Sequence, residues 1–203
     1  RTIQGELESA LQKIHIHQKI NLIGSGRTDS GVHAKGQVAN IKIESSLTSS
    51  QLLKALNSNL ERDIKVIYCD EVKNDFHARF SAKKRRYEYY ATNEHNPFNY
   101  KYFSLLKYEV NMDILNKCAS LILGNHDFGA FCKANAEVNH KRCLVFYSNW
   151  EKTSNGFIYH IQANRFLQHM VRFLVGTMLE VARGRMNLDD FKLFLNGKHS
   201  TLS

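Results

Sequence analysis

The sequence predicts an α+β protein of two similar halves, each an antiparallel sheet with helices on one face. Three observations lead there. Amphipathic helical stretches and alternating strands follow one another twice along the 203 residues. A polar stretch, NEHNPFNY at 93–100, separates the two runs and holds the only proline, Pro97. Hydrophobic residues make 43% of the chain and charged ones 23%, the balance of a globular protein long enough for a sizeable core. The predicted halves are 1–96 and 97–203. They are alike in the order of their elements and not in their residues.

The first half opens with a helix over 5–15, because Ile3, Leu7, Ala10, Leu11 and Ile14 recur every three to four residues. A short apolar strand at 18–23 enters a glycine-rich loop. After the loop Ala39, Ile41 and Ile43 alternate with Asn40 and Lys42, the pattern of a half-buried strand. Thr48 with Gln51 three residues on predicts a capping box for a helix over 49–59. Alternation returns at 64–72 (Ile64, Val66, Tyr68) and at 86–92. In the second half a helix over 112–123 is stopped by Gly124. Strands at 143–151 and 157–163 flank TSNG, with Asn155-Gly156 as the expected hairpin turn. A long helix is expected from about 166 to 182.

Charge and cysteine usage narrow the function classes. A net charge of +9 points to a polyanionic partner, most simply nucleic acid. No apolar run reaches the ~18 residues of a membrane span, and no secretory signal is visible. Cys69, Cys118, Cys132 and Cys143 form no CxxC pair, which fits buried thiols in a reduced, cytoplasmic protein.

Three stretches carry chemistry. The first is GSGRTDSGVHAKGQVANIK at 24–42, where Asp29 stands among Arg27, His33 and Lys35. Gly26 and Gly31 have the spacing of a phosphate loop, but Val32-His33 occupies the place of the required Lys-Ser/Thr, and Asp29 displaces the third glycine of GxGxxG. Two readings remain: an aspartate capping backbone amides in a tight turn, or a carboxylate on a flexible loop that lets a bulky ligand approach.

The second stretch is FHARFSAKKRRYEYY at 76–90. Its cations, Lys83, Lys84 and Arg85 among them, interleave with Phe76, Phe80, Tyr87, Tyr89 and Tyr90. Cations neutralise phosphates and aromatic faces stack on unpaired bases, the combination suited to looped RNA. The alternative is a solvated charge run at a strand entrance. Alternation sets Tyr87 and Tyr89 on one face and Glu88 and Tyr90 on the other, so only one set can face a core.

The third is NRFLQHMVRFLVGTMLEVARGR at 164–185. Leu167, Met170, Val171, Leu174, Val175 and Met178 form an apolar stripe on a helix. Arg165, His169, Arg172, Gly176 and Arg183 cluster on another face, either a row for a phosphate backbone or a basic solvated side. Apolar neighbours predict a partly buried Arg172, which needs an anion. Asp127-Phe128-Gly129 matches a kinase triplet without the motifs that should accompany it. His126, Cys132, His140 and Cys143 have the spacing of no common zinc site.

Taken together, GRTDSGVHAKGQVA closely resembles the active-site loop of tRNA pseudouridine synthases of the TruA family, usually GRTDAGVHAxGQV, with Ser30 for the usual Ala. The resemblance continues through FHARFSAKKRRYEY, GNHDFGAF and ANRFLQHMVRFLVGTMLEVARG, and runs from QGELESAL to GKH, nearly the whole chain. It implies the pseudouridine synthase fold, a basic cleft between the halves that holds tRNA, and a homodimer. It implies isomerisation of uridine to pseudouridine in the anticodon stem-loop, at tRNA positions 38 to 40, with no cofactor and no metal. Asp29 matches the catalytic aspartate, Tyr87 the active-site tyrosine, and Arg172 an arginine that pairs with that aspartate. Arg27 matches the loop arginine that helps to hold the extruded nucleotide. Lys83, Lys84, Arg85, Arg165 and His169 are the expected RNA contacts. The family pattern also includes a strand with a GWQ-type segment, which would precede Arg1, and an apolar GL-x-L strand lining the uracil pocket, which would follow Ser203. The competing readings are a catalytically silent RNA-binding module on the same fold and a nucleotide-binding regulator. The second of these lacks its phosphate loop.

Overall fold

The computed structural model describes residues 1–133 and 140–197; Lys198 and His199 of the GKH segment lie outside them. The chain forms two compact units that divide at Ala82/Lys83, ahead of the 93–100 stretch on which the sequence reading divides it. The hydrogen bonds of the strand at 85–92 explain the position: it is laddered into the second unit along its whole length.

In the first unit, helix α1 (Ile3–Ile14) starts where the Thr2 side chain accepts the Gly5 amide. Helix α2 (Ser49–Asn59) carries the expected capping box: Thr48 Oγ1 accepts the Gln51 amide, and the Gln51 side chain accepts the Thr48 amide at 2.9 Å. The two helices bury Ala10, Leu11, Leu52 and Leu56 with Leu22, and Ile41, Ile43 and Val66 pack against that small core.

The sheet of this unit is shorter than the alternation predicts. Strands β1 (Ile23–Gly24) and β2 (Ala39–Asn40) form one short antiparallel ladder. Side chains take the place of a longer one. Glu8 accepts the Leu22 amide, Gln4 donates to the Leu22 carbonyl, and Gln18 accepts the Glu44 amide. The expected strand at 64–72 does not form either. Asn57 bonds both the amide and the carbonyl of Val66, at 2.9 and 2.8 Å, and so satisfies the backbone that a neighbouring strand would otherwise pair.

The second unit is a five-stranded sheet. Its strands are β3 (Arg85–Thr92), β4 (Phe103–Leu105), β5 (Gly124–Asp127), β6 (Arg142–Thr153) and β7 (Gly156–Ala163), in the order β4-β3-β7-β6-β5. All neighbours are antiparallel except β4, a three-residue edge strand parallel to β3. Helices α3 (Met112–Leu121), α4 (Met170–Ala182) and α5 (Leu188–Leu195) cover one face. Trp150 stacks on Tyr159 at 5.0 Å between ring centroids, and Trp150 Nε1 reaches Met178 Sδ at 3.4 Å. Of the β3 tyrosines, Tyr87 and Tyr89 pack on this core; Tyr90 lies on the other face with Glu88.

Two boundaries differ from expectation. Gly156 is not a central turn residue but the first residue of β7, paired with Thr153. A Cβ there would lie 2.2 Å from the Ala91 carbonyl oxygen of β3, and its φ is +130°, so both space and backbone require glycine. Helix α4 starts at Met170 and not near 166, because His169 adopts a left-handed φ of 65°. Arg165 and His169 therefore precede the helix on which the sequence places them.

Candidate active site

The Asp29 loop is a held structure. It leaves β1 and returns to β2, and its base is fastened three times. The Ser25 amide donates to the Val38 carbonyl at 2.8 Å, Ser25 Oγ to Gln37 Oε1 at 2.8 Å, and Gln37 Nε2 to the Gly26 carbonyl at 2.7 Å. Inside this frame Asp29 opens a turn in which its carbonyl accepts the Val32 amide. Gly31, at the third position, has a φ of +80°, the value of a type II turn, which favours glycine there. Arg27, Thr28 and Ser30 are exposed, whereas Asp29 is half-buried. The loop thus offers one carboxylate on a backbone fixed at both ends and open in the middle. Ser25 and Gln37, which make the clamp, escaped the sequence reading. Their signal is only a Ser and a Gln twelve positions apart.

In the second unit the structure gathers several of the expected residues where β3 begins and β7 ends. Arg85 pairs in register with Ala163, and its Nη1 donates to the Asn164 carbonyl at 2.8 Å. Tyr87 sets its ring edge-on to Phe166, with centroids 4.9 Å apart at 90°. Arg165 lies between Asn164 and Phe166 and is half-exposed. The Lys84 ammonium sits over the Phe146 ring at 5.1 Å, and Lys83 is exposed. His169 stands at the start of α4 as the one described non-glycine residue with a positive φ, a strain that marks functional sites more often than plain surface. Phe166, which braces Tyr87, is another residue that spacing alone does not single out.

Other cations are committed elsewhere. Arg86 is bound to Glu88 at 2.9 Å on the face away from the helices, and its Nη2 reaches His160 Nδ1 at 3.2 Å. A guanidinium can only donate, so Nδ1 accepts and His160 donates through Nε2 to Glu151 at 3.0 Å. Arg183 is tied to Glu180 and lies over the Tyr108 ring at 4.4 Å. Arg172 corrects the sequence expectation of partial burial: α4 turns Met170, Leu174, Val175 and Met178 inward and leaves Arg172 exposed. Burial pushes the Cys118 and Cys143 thiols up to about 11, which makes them poor nucleophiles at neutral pH. Among the described residues no three His, Cys, Asp or Glu side chains gather as a metal site would need. No described helix is long and apolar enough to cross a membrane.

Against known proteins, the family model described as tRNA pseudouridine synthase matches residues 1–81 and 118–202. The chain belongs to the tRNA pseudouridine synthase family. The matched residues include Arg27, Asp29, Arg165, His169 and Arg172, while Lys83, Lys84, Arg85 and Tyr87 fall between the two matched parts. Whole-length relatives span that interval. The chain is 39% identical to the tRNA pseudouridine synthase A of Bacillus pumilus over 202 residues, covering 98% of this chain and 82% of the relative. It is 38% identical to that of Chlorobium limicola, covering 97% and 80%, and 37% identical to that of Bacillus subtilis, covering 98% and 81%. Membership of the pseudouridine synthase family makes the chain an isomerase with the α+β fold seen above.

Proposed function

We propose that the protein converts uridine to pseudouridine in the anticodon stem-loop of tRNA, at positions 38 to 40, with Asp29 as the catalytic carboxylate. The observation that carries this is the Asp29 loop itself: a single half-buried carboxylate in GRTDSG, on a backbone clamped by Ser25 and Gln37. A base inside a stem cannot reach such a carboxylate, so the target uridine leaves the stack. The reaction then breaks N1–C1′, turns the uracil and forms C5–C1′. A proton leaves C5 and one is gained at N1, so atoms balance without a redox step, a cofactor or a metal.

Asp29 acts on the sugar as an ionised carboxylate, either at C1′ as a nucleophile or as a base. Arg27, exposed two residues away on the same loop, holds the extruded nucleotide. Tyr87, fixed by Phe166, stacks on the flipped base and relays a proton as it turns. Arg172 is a cation for a phosphate of the bound substrate. Its exposure means that folding does not desolvate the charge ahead of binding. Lys83, Lys84, Arg85, Arg165 and His169 contact the RNA backbone. The protein works as a cytoplasmic homodimer on tRNA.

The test is incubation with an unmodified tRNA transcript, followed by a chemical assay specific for pseudouridine. Wild-type protein should modify the anticodon stem-loop, with or without EDTA. Asp29→Ala and Asp29→Asn should bind the tRNA within a few fold and form no product. More than a few per cent of the wild-type rate in Asp29→Ala would remove Asp29 from the chemistry.

A further inference from the structure

We infer that Phe80 is a stacking platform for an unpaired base of the substrate RNA, beside the Asp29 loop; the inference rests on the tRNA reading above. Phe80 is 76% exposed, an unusual setting for a phenylalanine on a hydrogen-bonded turn. It ends a tight turn in which the Phe80 and Ser81 amides both donate to the His77 carbonyl, at 3.0 and 2.8 Å. His77 Nδ1 accepts from the Arg79 and Phe80 amides at 3.2 and 3.3 Å, which requires an unprotonated Nδ1 and leaves Nε2 carrying the proton.

The His77 ring lies 4.2 Å from the Phe80 ring at 33°, backing one face, and the exposed Arg79 guanidinium stands 5.7 Å from the ring centroid. The turn is docked through buried Ala78, whose amide donates to Asn40 Oδ1 at 2.8 Å. Asn40 ends β2, the strand into which the Asp29 loop runs. An exposed aromatic ring on a hydrogen-bonded turn, backed by an imidazole, flanked by a guanidinium and anchored to the strand of the Asp29 loop has what an unpaired nucleobase needs. It offers a π-face with positive charge for the neighbouring phosphate. Such a base is present wherever the target leaves the stack, and throughout the anticodon loop.

The experiment compares full-length wild-type protein with Phe80→Ala, Phe80→Leu and Phe80→Trp. It measures binding and turnover of an unmodified tRNA transcript, binding of a duplex RNA with the same stem and no loop, and thermal unfolding. Phe80→Ala should weaken tRNA binding roughly 5- to 100-fold and raise KM by a similar factor. Its kcat, melting temperature and duplex affinity should stay near wild type. Phe80→Trp should restore tRNA binding and Phe80→Leu should not, because leucine keeps the apolar bulk without the π-face. Equal tRNA binding by wild type and Phe80→Ala, full rescue by leucine, or an equal loss on the loop-free duplex would each overturn the platform. An active wild type with an unchanged Phe80→Ala removes the platform alone, whereas a wild type that modifies no tRNA removes the tRNA reading with it.

Discussion

The Tyr87 ring meets Phe166 edge-on, 4.9 Å between centroids at 90°, so a tyrosine on β3 is oriented by the segment that leaves β7. The hydroxyl is the part of Tyr87 that a phenylalanine lacks. Tyr87→Phe should bind tRNA like wild type and lose about 100-fold or more in the rate of pseudouridine formation, the scale of positioned acid–base catalysis. Unfolding of Tyr87→Ala, Phe166→Ala and the double variant should return a coupling of about 1 kcal/mol. Zero coupling would mean that Phe166 does not orient the ring.

Arg172 should matter for rate and hardly at all for stability. Its exposure means that Arg172→Ala leaves unfolding within about 0.5 kcal/mol of wild type. Turnover should fall strongly, and Arg172→Lys should recover only part of it, since an ammonium lacks the planar fork. A large loss of stability in Arg172→Ala would show the side chain to be a structural contact.

Salt should weaken tRNA binding steeply. With roughly five phosphates contacted on a duplex-like stem, log K should fall against log salt with a slope of about −4 to −5. Replacing Lys83, Lys84 and Arg85 together should flatten that slope. An unchanged slope would mark the triplet as charge that the RNA does not neutralise.

Gly156→Ala should destabilise the second unit by about 2–5 kcal/mol, from steric overlap and backbone strain together. The added methyl would sit 2.2 Å from the Ala91 oxygen on a backbone of φ +130°. Urea unfolding measures it; a change under ~0.5 kcal/mol would mean that β3 and β7 shift apart freely.

Stability should also fall at alkaline pH. Burial raises the Cys118 and Cys143 thiols from 9.0 to about 11. Above pH 9 the unfolded chain loses these protons while the folded chain keeps them. The stability present below 9 is therefore lost progressively up to about 11. Melting temperatures across that range check this, and the paired Cys118→Ala, Cys143→Ala variant should show a shallower fall.

Much of the local structure was readable from residue order. The Thr48–Gln51 box, the apolar face of α1 and the strands β3, β6 and β7 follow from periodicity, capping and turn residues. These are interactions among residues a few positions apart. The GRTDSG stretch likewise marks Asp29 from its immediate neighbours. Misplaced boundaries had causes that periodicity does not register. The strand expected at 64–72 gave way to Asn57 bonding Val66, and the helix expected from 166 waited for the left-handed His169.

The sequence by itself therefore determined most of the element types and the family, and it singled out Asp29 as the candidate carboxylate, because each is encoded by neighbouring side chains and spacing. Tertiary structure alone decided what holds those groups in place: the Ser25–Gln37 clamp under Asp29, Phe166 against Tyr87, Asn40 beneath the turn of Phe80, and the outward turn of Arg172. Each joins residues far apart in the chain or depends on which helix face the core takes. Such pairings are selected by the packing of the whole unit and leave no periodic trace in the sequence.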